Sequence, residues 1–234
     1  MSDLLGGRQV QRHAPIREQV ASILRDAIIE LRLEPGKLLV ERELCEMTQA
    51  SRPSVREALR QLEAEGLVES LSGRGTIVAV TSPELAVSVS EVRVELERLA
   101  VELFIKHSQP ADLDRFRDAV SEVRAAADRG EGASVAAMRA MSRVYDVLLE
   151  GSGNPILQQM VNLLQRRVTQ LRALALEQPG RTAQNVIELE AILESFEQGD
   201  VKSARSAAAF HVQQEARTAL RALERSAAAA AVGA

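Results

Sequence analysis

A row of arginines near the amino terminus is the part of the sequence with the clearest chemistry. Arg52, Arg56 and Arg60 follow one another at four-residue spacing, which places them on one face of a helix. A guanidinium group can pair with the O6 and N7 atoms of guanine or clamp a phosphate. The row therefore predicts a helix that reads double-stranded DNA. The alternative that stays open is pairing of these arginines with glutamates on a solvated helix face, namely Glu57, Glu63 and Glu65.

Small polar residues surround the predicted start of this helix. Ser51 is a suitable N-cap and Pro53 is tolerated in a first turn. Ser54 adds a hydroxyl beside a helix N-terminus, which itself attracts phosphate. Arg42 falls on the preceding helix, where a contact with the DNA backbone is expected. Together these residues predict a DNA-binding site at the start of one helix.

The elements that must position this site occupy residues 1–81. Apolar residues recur at helical spacing from Ile16 to Leu31, and a Pro-Gly turn at Pro35 and Gly36 ends that pattern. A short helix around Arg42–Thr48 and a third helix from Ser51 to Gly66 follow. Two β-like runs, Leu67–Leu71 and Thr76–Val80, come next and are separated by a Gly-rich turn. Three helices and a hairpin predict a winged helix-turn-helix.

The rest of the chain is almost entirely helix-periodic. Ser82 can cap a helix and Pro83 can occupy its first position, so a domain boundary is predicted there. Short breaks favour antiparallel neighbours in a bundle. The predicted helices are 84–107, 110–129, 133–151, 155–177, 182–198 and 200–225. The predicted domains are a winged helix-turn-helix at 1–81 and an all-α antiparallel six-helix bundle at 82–226, with an Ala-rich tail at 227–234 that frays or is disordered. The fold class is mainly α.

The composition of the 234 residues narrows the function. An aromatic content of 2% argues against base-stacking surfaces for single-stranded nucleic acid, and a single cysteine excludes a disulfide framework or a Cys-based zinc site. The net charge of −4 means that DNA binding must depend on where the arginines lie. No secretory signal or membrane span is visible, which predicts a soluble, cytoplasmic protein. No nucleophile–base pair or phosphate loop is present, which argues against an enzyme.

Two segments resemble the N-terminal domain of GntR-type transcription regulators. They are LEPGKLLVEREL at residues 33–44 and SRPSVREALRQLEAEGLV at residues 51–68. Family members commonly have Ser-Arg-Thr-Pro where this chain has Ser-Arg-Pro-Ser, so Pro53 cannot supply the hydroxyl of the usual threonine. The resemblance implies that operator-contacting positions fall on Arg42, Ser51, Arg52, Pro53, Ser54 and Arg56, and that a wing tip entering the minor groove falls on Gly73, Arg74 and Gly75.

The helical half resembles the FadR branch of the same family, whose effector domain is of the FCD type. The resemblance rests on residues 91–93, 150–155 and 198–200, and six helices favour the VanR-like group. Many relatives hold a metal there with one acidic residue and three histidines. The matching positions in this chain are Met141, Tyr145, Leu189 and His211, of which only His211 is a strong ligand. We therefore expect no metal and no cofactor.

An effector pocket is still expected in the bundle. The Tyr145 hydroxyl, the His211 imidazole and the Arg93 guanidinium could converge, and Arg93 suits a carboxylate. Met141 and Leu189 would make this pocket apolar. The equal alternative is that Tyr145 and His211 are ordinary core residues and that Arg93 pairs with Glu97 on the surface.

These inferences together predict a transcription repressor. A homodimer would bind palindromic double-stranded operator DNA, and a carboxylate-bearing metabolite in the bundle would modulate that binding. No membrane partner is expected. One alternative is a DNA-binding dimer whose bundle senses no ligand, and another is a helical-bundle enzyme.

Overall fold

The computed structural model describes residues 15–29, 32–73, 75–130 and 135–232. The first part of the chain contains α1 (Ile16–Ile29), β1 (Leu38–Leu39), α2 (Glu41–Thr48), α3 (Arg52–Ala64), β2 (Val68–Leu71) and β3 (Gly75–Val78). The second part contains α4 (Pro83–His107), α5 (Pro110–Asp128), α6 (Val135–Gly151), α7 (Pro155–Leu176), α8 (Arg181–Gln198) and α9 (Val201–Val232). The predicted mainly α fold class, a winged helix-turn-helix followed by a helical bundle, is confirmed.

The winged part has its own hydrophobic core. Val55, Ala58 and Leu62 on α3 are fully buried, and they pack with Leu24 of α1 and Val78 of β3 in a single cluster. These α3 residues lie three to four positions apart, so burying them turns the intervening arginines outward.

The sheet contains a strand that the sequence pattern did not predict. The strand order is β1-β3-β2, and both pairings are antiparallel. Leu38 and Leu39 of β1 pair with Ile77 and Thr76 of β3. Two residues are too few to show the apolar–polar alternation that identifies a strand. Both strands of the predicted hairpin are present, although β3 ends at Val78 rather than residue 80.

Six helices in the described residues form the second part, and α4 packs most extensively on α9. The N-cap of α4 is Ser82, whose Oγ accepts a hydrogen bond from the Leu85 amide at 3.2 Å, as its sequence predicts. Phe104, Phe116 and Phe196 form an aromatic cluster with ring centroids 4.5 to 5.8 Å apart. Gly151 packs directly against this cluster, and a Cβ at this position would collide with the Phe104 ring.

The Ala-rich end of the chain differs from the prediction. Helix α9 was expected to end at residue 225, with a frayed or disordered tail at 227–234. Instead, α9 continues to Val232, and only residues 233–234 of that tail lie outside the described residues. Alanine has the highest intrinsic helix propensity, so an alanine run extends a helix that is already formed. Within the described residues, no helix is both long and apolar enough to cross a bilayer.

Candidate functional site

The start of α3 is an exposed, capped helix end. Ser51 Oγ accepts a hydrogen bond from the Ser54 amide at 3.4 Å and lies 2.9 Å from Ser54 Oγ. Pro53 occupies the first turn, where its missing N–H costs nothing. Arg52 and Arg56 are exposed beside this end. The structure therefore brings together five residues predicted to contact DNA, with free backbone N–H groups at the same helix end.

The arginines at this surface differ in their partners. Arg56 Nε donates to both carboxylate oxygens of Glu41 on α2, at 2.8 and 2.9 Å. This hydrogen-bonded pair holds the pKa of Glu41 below its usual value. Arg42 pairs with Glu46 at 3.2 Å. Within the described part of the chain, Arg52 forms no hydrogen bond or ion pair, so it is the arginine most available to DNA.

The alternative reading, in which the arginine row pairs with nearby glutamates on a solvated helix face, holds for one of the three glutamates. Arg60 pairs with Glu57, as that alternative expects. However, Glu65 forms its ion pair with Arg25 of α1 at 2.7 Å, and Glu63 accepts the Ser70 amide. Two of the three glutamates therefore link the end of α3 to other elements, Glu65 to α1 and Glu63 to β2. The start of α3 is left without these partners.

The predicted wing tip lies between β2 and β3. Gly73 has φ 72° and Gly75 has φ 93°, both in the left-handed region that glycine adopts without strain. Arg74 lies outside the described residues. The tight turn that the sequence predicts is therefore supported by its two glycines.

Arg93 of α4 lies in the interior of the bundle, with 2% of its surface exposed. Its Nη2 donates to the Tyr145 hydroxyl at 3.0 Å and to Glu215 at 3.1 Å, while Nε donates to Glu97 at 3.0 Å. The expected contact between Arg93 and Tyr145 is present. The expectation of a surface ion pair was wrong about location, since Arg93 and Glu97 pair in the interior.

His211 of α9 belongs to a neighbouring group of buried charges. Its Nδ1 lies 2.6 Å from Glu188 Oε2, and Arg181 donates to both oxygens of the same carboxylate at 2.7 and 2.8 Å. The rings of His211 and Tyr145 lie 6.4 Å apart. The three side chains predicted to converge, Arg93, Tyr145 and His211, are thus in one region of the bundle.

Arg172 of α7 belongs to the group around Arg93 and Tyr145. Its Nε donates to Glu215 at 3.1 Å, and its guanidinium lies 4.7 Å from the centre of the Tyr145 ring. Burial alone would raise the pKa of Glu215, but the attraction of Arg93 and Arg172 outweighs it and holds this pKa well below its usual value. Burial raises the pKa of Tyr145 well above its usual value, so the phenol stays protonated. We call these residues the buried polar cluster: Arg93, Glu97, Tyr145, Arg172, Arg181, Asn185, Glu188, His211 and Glu215.

The remaining predicted pocket residues are apolar neighbours of the cluster. Met141 and Leu189 are buried in the main hydrophobic core together with Tyr145. Met141 Sδ lies 4.0 Å from the Asn185 side-chain amide. Among the residues described, no group of three His, Cys, Asp or Glu side chains could hold a metal. The glutamates near His211 are already bonded to guanidinium groups, so the donor set does not fit the metal that relatives hold.

Five members of the cluster were missed by sequence reasoning: Arg172, Arg181, Asn185, Glu188 and Glu215. A signal for some of them existed. Arg181, Asn185 and Glu188 lie at i, i+4 and i+7 on one face of α8, and Glu215 lies one turn after His211. Charged residues that recur on the same face as a buried apolar stripe indicate a buried polar network.

Four buried polar atoms of this cluster have no hydrogen-bond partner among the described residues. They are Arg172 Nη2, Arg181 Nε, Asn185 Oδ1 and His211 Nε2. Buried polar groups in folded proteins are nearly always hydrogen-bonded, so each of these atoms calls for an additional partner. Ordered water or a small polar ligand would supply these partners.

Comparison with known proteins identifies the two domains in which these sites lie. The FCD domain model matches residues 88–214, and the model described as bacterial regulatory proteins, gntR family, matches residues 16–78. The uncharacterized HTH-type transcriptional regulator YdhC of Bacillus subtilis is 26% identical over 148 residues, which is 62% of this chain but 65% of YdhC, just under two thirds. The galactonate operon transcriptional repressor of Escherichia coli is 28% identical over 174 residues, covering 64% of this chain and 74% of the repressor.

A solved structure supports the fold. The structure of E. coli McbR/YncC superposes with a TM-score of 0.77 at 21% identity and covers 86% of this chain and 95% of that one. The fold and the two sites define a winged helix-turn-helix DNA-binding protein with a helical effector domain. The FCD model alone covers more than half of the sequence, and the chain belongs to the GntR family of bacterial transcription regulators that carry an FCD domain. Members of this family are regulators rather than enzymes.

Proposed function

We propose that this chain forms a homodimeric repressor whose affinity for a palindromic operator is controlled by a small molecule bound at the buried polar cluster. The observation that carries the DNA-binding half is the exposed, serine-capped start of α3 with Arg52 and Arg56 beside it. Repression is proposed because the relative from the galactonate operon is named a repressor.

The DNA contacts are proposed to centre on the start of α3. Arg52 is free to pair with a guanine edge or a phosphate, whereas Arg56 must first leave Glu41. Ser51, Pro53 and Ser54 would lie along the same helix end. Arg42, exposed on α2, would contact the backbone, and the wing tip at Gly73, Arg74 and Gly75 would enter the minor groove.

The test of this half uses DNA selected by the purified protein from random duplexes. Arg52→Ala should weaken binding to the selected sequence by roughly 1–3 kcal/mol and relax specificity at one base pair. Arg60→Ala is the matched control because Arg60 lies on the same helix, pairs with Glu57 and is two turns further along. Equal effects of both changes, or no enriched sequence at all, would contradict the assignment of α3.

The dimer is proposed to form through exposed apolar residues of α4 and α7. Leu85, Val92 and Leu99 recur at seven-residue spacing on α4 and are 37–48% exposed. A similar stripe on α7 comprises Ile156, Met160 and Leu163, which are 42–62% exposed. The two helices meet at a small core that joins Val89 to Leu164, next to both stripes. A second copy of the chain would cover this continuous surface by two-fold symmetry.

Sedimentation of a charged variant tests this surface. Val92→Glu should shift the protein from dimer to monomer at micromolar concentration, because two buried carboxylates would face each other across the two-fold axis. Glu91→Gln is the control, since it alters a neighbouring exposed residue of α4 without touching the stripe. A dimer that survives Val92→Glu would place the interface elsewhere.

The effector half rests on the four unpartnered polar atoms of the buried polar cluster. Coupling to DNA could run through α7, which carries Arg172 in the cluster and also contacts α1 of the winged part. A ligand that binds only the folded protein must raise its melting temperature. The alternative, a purely structural bundle, is supported if no metabolite raises the melting temperature or changes operator affinity.

A further inference from the structure

The guanidinium and carboxylate groups of the buried polar cluster are equal in number. Three of each lie in it, and each belongs to a residue with at most 5% of its surface exposed. They are Arg93, Arg172, Arg181, Glu97, Glu188 and Glu215. Their bonding distances show that the charges are paired directly, with Arg93 bonded to both Glu97 and Glu215, and Arg181 bonded to Glu188. Arg93 is the residue that the sequence predicts to bind an effector carboxylate. Its guanidinium already bonds two carboxylates of the protein.

The unpartnered atoms offer both hydrogen-bond donors and acceptors. Arg172 Nη2 and Arg181 Nε can only donate, whereas Asn185 Oδ1 can only accept. A carboxylate oxygen can only accept, so the hydrogen between His211 and Glu188 lies on Nδ1. The other ring nitrogen, Nε2, accepts a hydrogen bond in the neutral imidazole and donates one in the imidazolium. A ligand that satisfies this set must itself present donors as well as acceptors.

Three of the four atoms belong to residues that bond Glu188 or lie within one turn of it on α8. Arg181 and His211 both bond to Glu188, and Asn185 lies one turn from each of Arg181 and Glu188 on α8. Met141 and Leu189 flank this place with apolar surface. Bringing net charge into such an interior costs desolvation energy, and each guanidinium of the cluster already bonds a carboxylate.

We propose that the effector of this chain is an uncharged polar molecule, such as a hydroxylated amide or lactone, bound by the buried polar cluster without a metal ion. This inference rests on the proposed sensing function and narrows it. The carboxylate expected from the sequence is replaced by the protein's own Glu97, Glu188 and Glu215, and the metal of relatives is replaced by guanidinium groups. A free acid would add a negative charge that the cluster does not balance.

Pairs of compounds that differ only in charge test the proposal. Hydroxy acids and their own amides, lactate and lactamide among them, are compared by the melting temperature of the full chain and by titration calorimetry. We expect amides to bind at least about tenfold more tightly than their acids. Zn²⁺, Mn²⁺ and Ni²⁺ alone should leave the melting temperature unchanged, and the purified protein should contain no stoichiometric metal.

A variant that removes one carboxylate of the cluster tests the same proposal by changing the protein instead of the ligand. Glu188→Gln leaves Arg181 without its counter-charge, so this variant should prefer the acid of each pair over the amide. Glu97→Gln removes a different carboxylate of the cluster and serves the same purpose if Glu188→Gln does not fold.

Each outcome has one meaning. Preference for acids in the unmodified chain, or a stabilising or co-purifying metal, overturns the inference while leaving the sensing function intact. If neither member of any pair stabilises the unmodified chain or the variants, the inference fails together with the sensing function. Amide preference that reverses in Glu188→Gln supports both.

Discussion

The two halves of this molecule use the same residue types in opposite environments. At the start of α3, arginines and glutamates lie on the surface, where water screens them and partners exchange readily. In the bundle, arginines and glutamates lie within the core, where each charge depends on a fixed partner. The ion pairs beside the proposed DNA-binding helix can change partners, whereas those of the bundle are fixed and would limit which ligands fit there.

The largest expected difference between the two regions is in stability. Glu215→Ala would leave Arg93 and Arg172 buried without their shared carboxylate, and breaking a buried pair in this way costs about 3–5 kcal/mol of unfolding free energy. Urea unfolding, monitored by circular dichroism, measures this loss. Glu46→Ala removes the exposed partner of Arg42 and is the control, with an expected loss below ~0.5 kcal/mol. Equal losses would show that the buried network contributes no more than a surface pair.

The second expected difference between the two regions is the loss of local stability at acidic pH. Burial would raise the pKa of Glu188, but hydrogen bonds from His211 and Arg181 hold it below the usual value of 4.5. Burial would likewise raise the pKa of Glu215, but the attraction of Arg93 and Arg172 holds it well below that value. A carboxyl group with a depressed folded-state pKa stabilises the fold fully above its unfolded pKa and loses this contribution as the pH falls through the folded-state value. Hydrogen exchange of α8 and α9 should therefore accelerate as the pH falls below about 4.5.

The matched region for that measurement is α2 and α3. Glu41 also has a lowered pKa, from its hydrogen bond to Arg56, but both side chains are exposed and solvent weakens their coupling. The intrinsic exchange rate is corrected for pH at every amide. If α2 and α3 lose protection at the same pH as α8 and α9, the buried carboxylates do not control acid unfolding of the bundle.

The same contrast explains what the sequence could predict. The DNA-binding helix is encoded locally: Ser51, Pro53, the arginine row and the apolar positions of α3 lie within a few turns of one another. The buried polar cluster draws one to three residues from each of five helices, α4 and α6–α9, so no single local pattern contains all of it. Arg93 and Glu97 illustrate the difficulty, because an i, i+4 ion pair has the same sequence signature on a surface as in a core. Strand β1 escaped prediction because two residues carry no periodicity.

The smallest expected effect tests whether an exposed ion pair can exchange its protein partner for DNA. Glu41→Gln should free Arg56 and remove a negative charge beside the proposed DNA surface, so operator affinity should rise about two- to fivefold, the scale of an exposed ion pair. Fluorescence anisotropy over a range of salt concentrations measures the change. The double variant Glu41→Gln with Arg56→Ala is the control, and in it the gain should disappear because it depends on the released guanidinium. A fall in affinity after Glu41→Gln would mean that Glu41 orients Arg56 towards DNA. The Arg56–Glu41 pair would then be a fixed part of the DNA-binding surface, just as the buried ion pairs are fixed parts of the bundle.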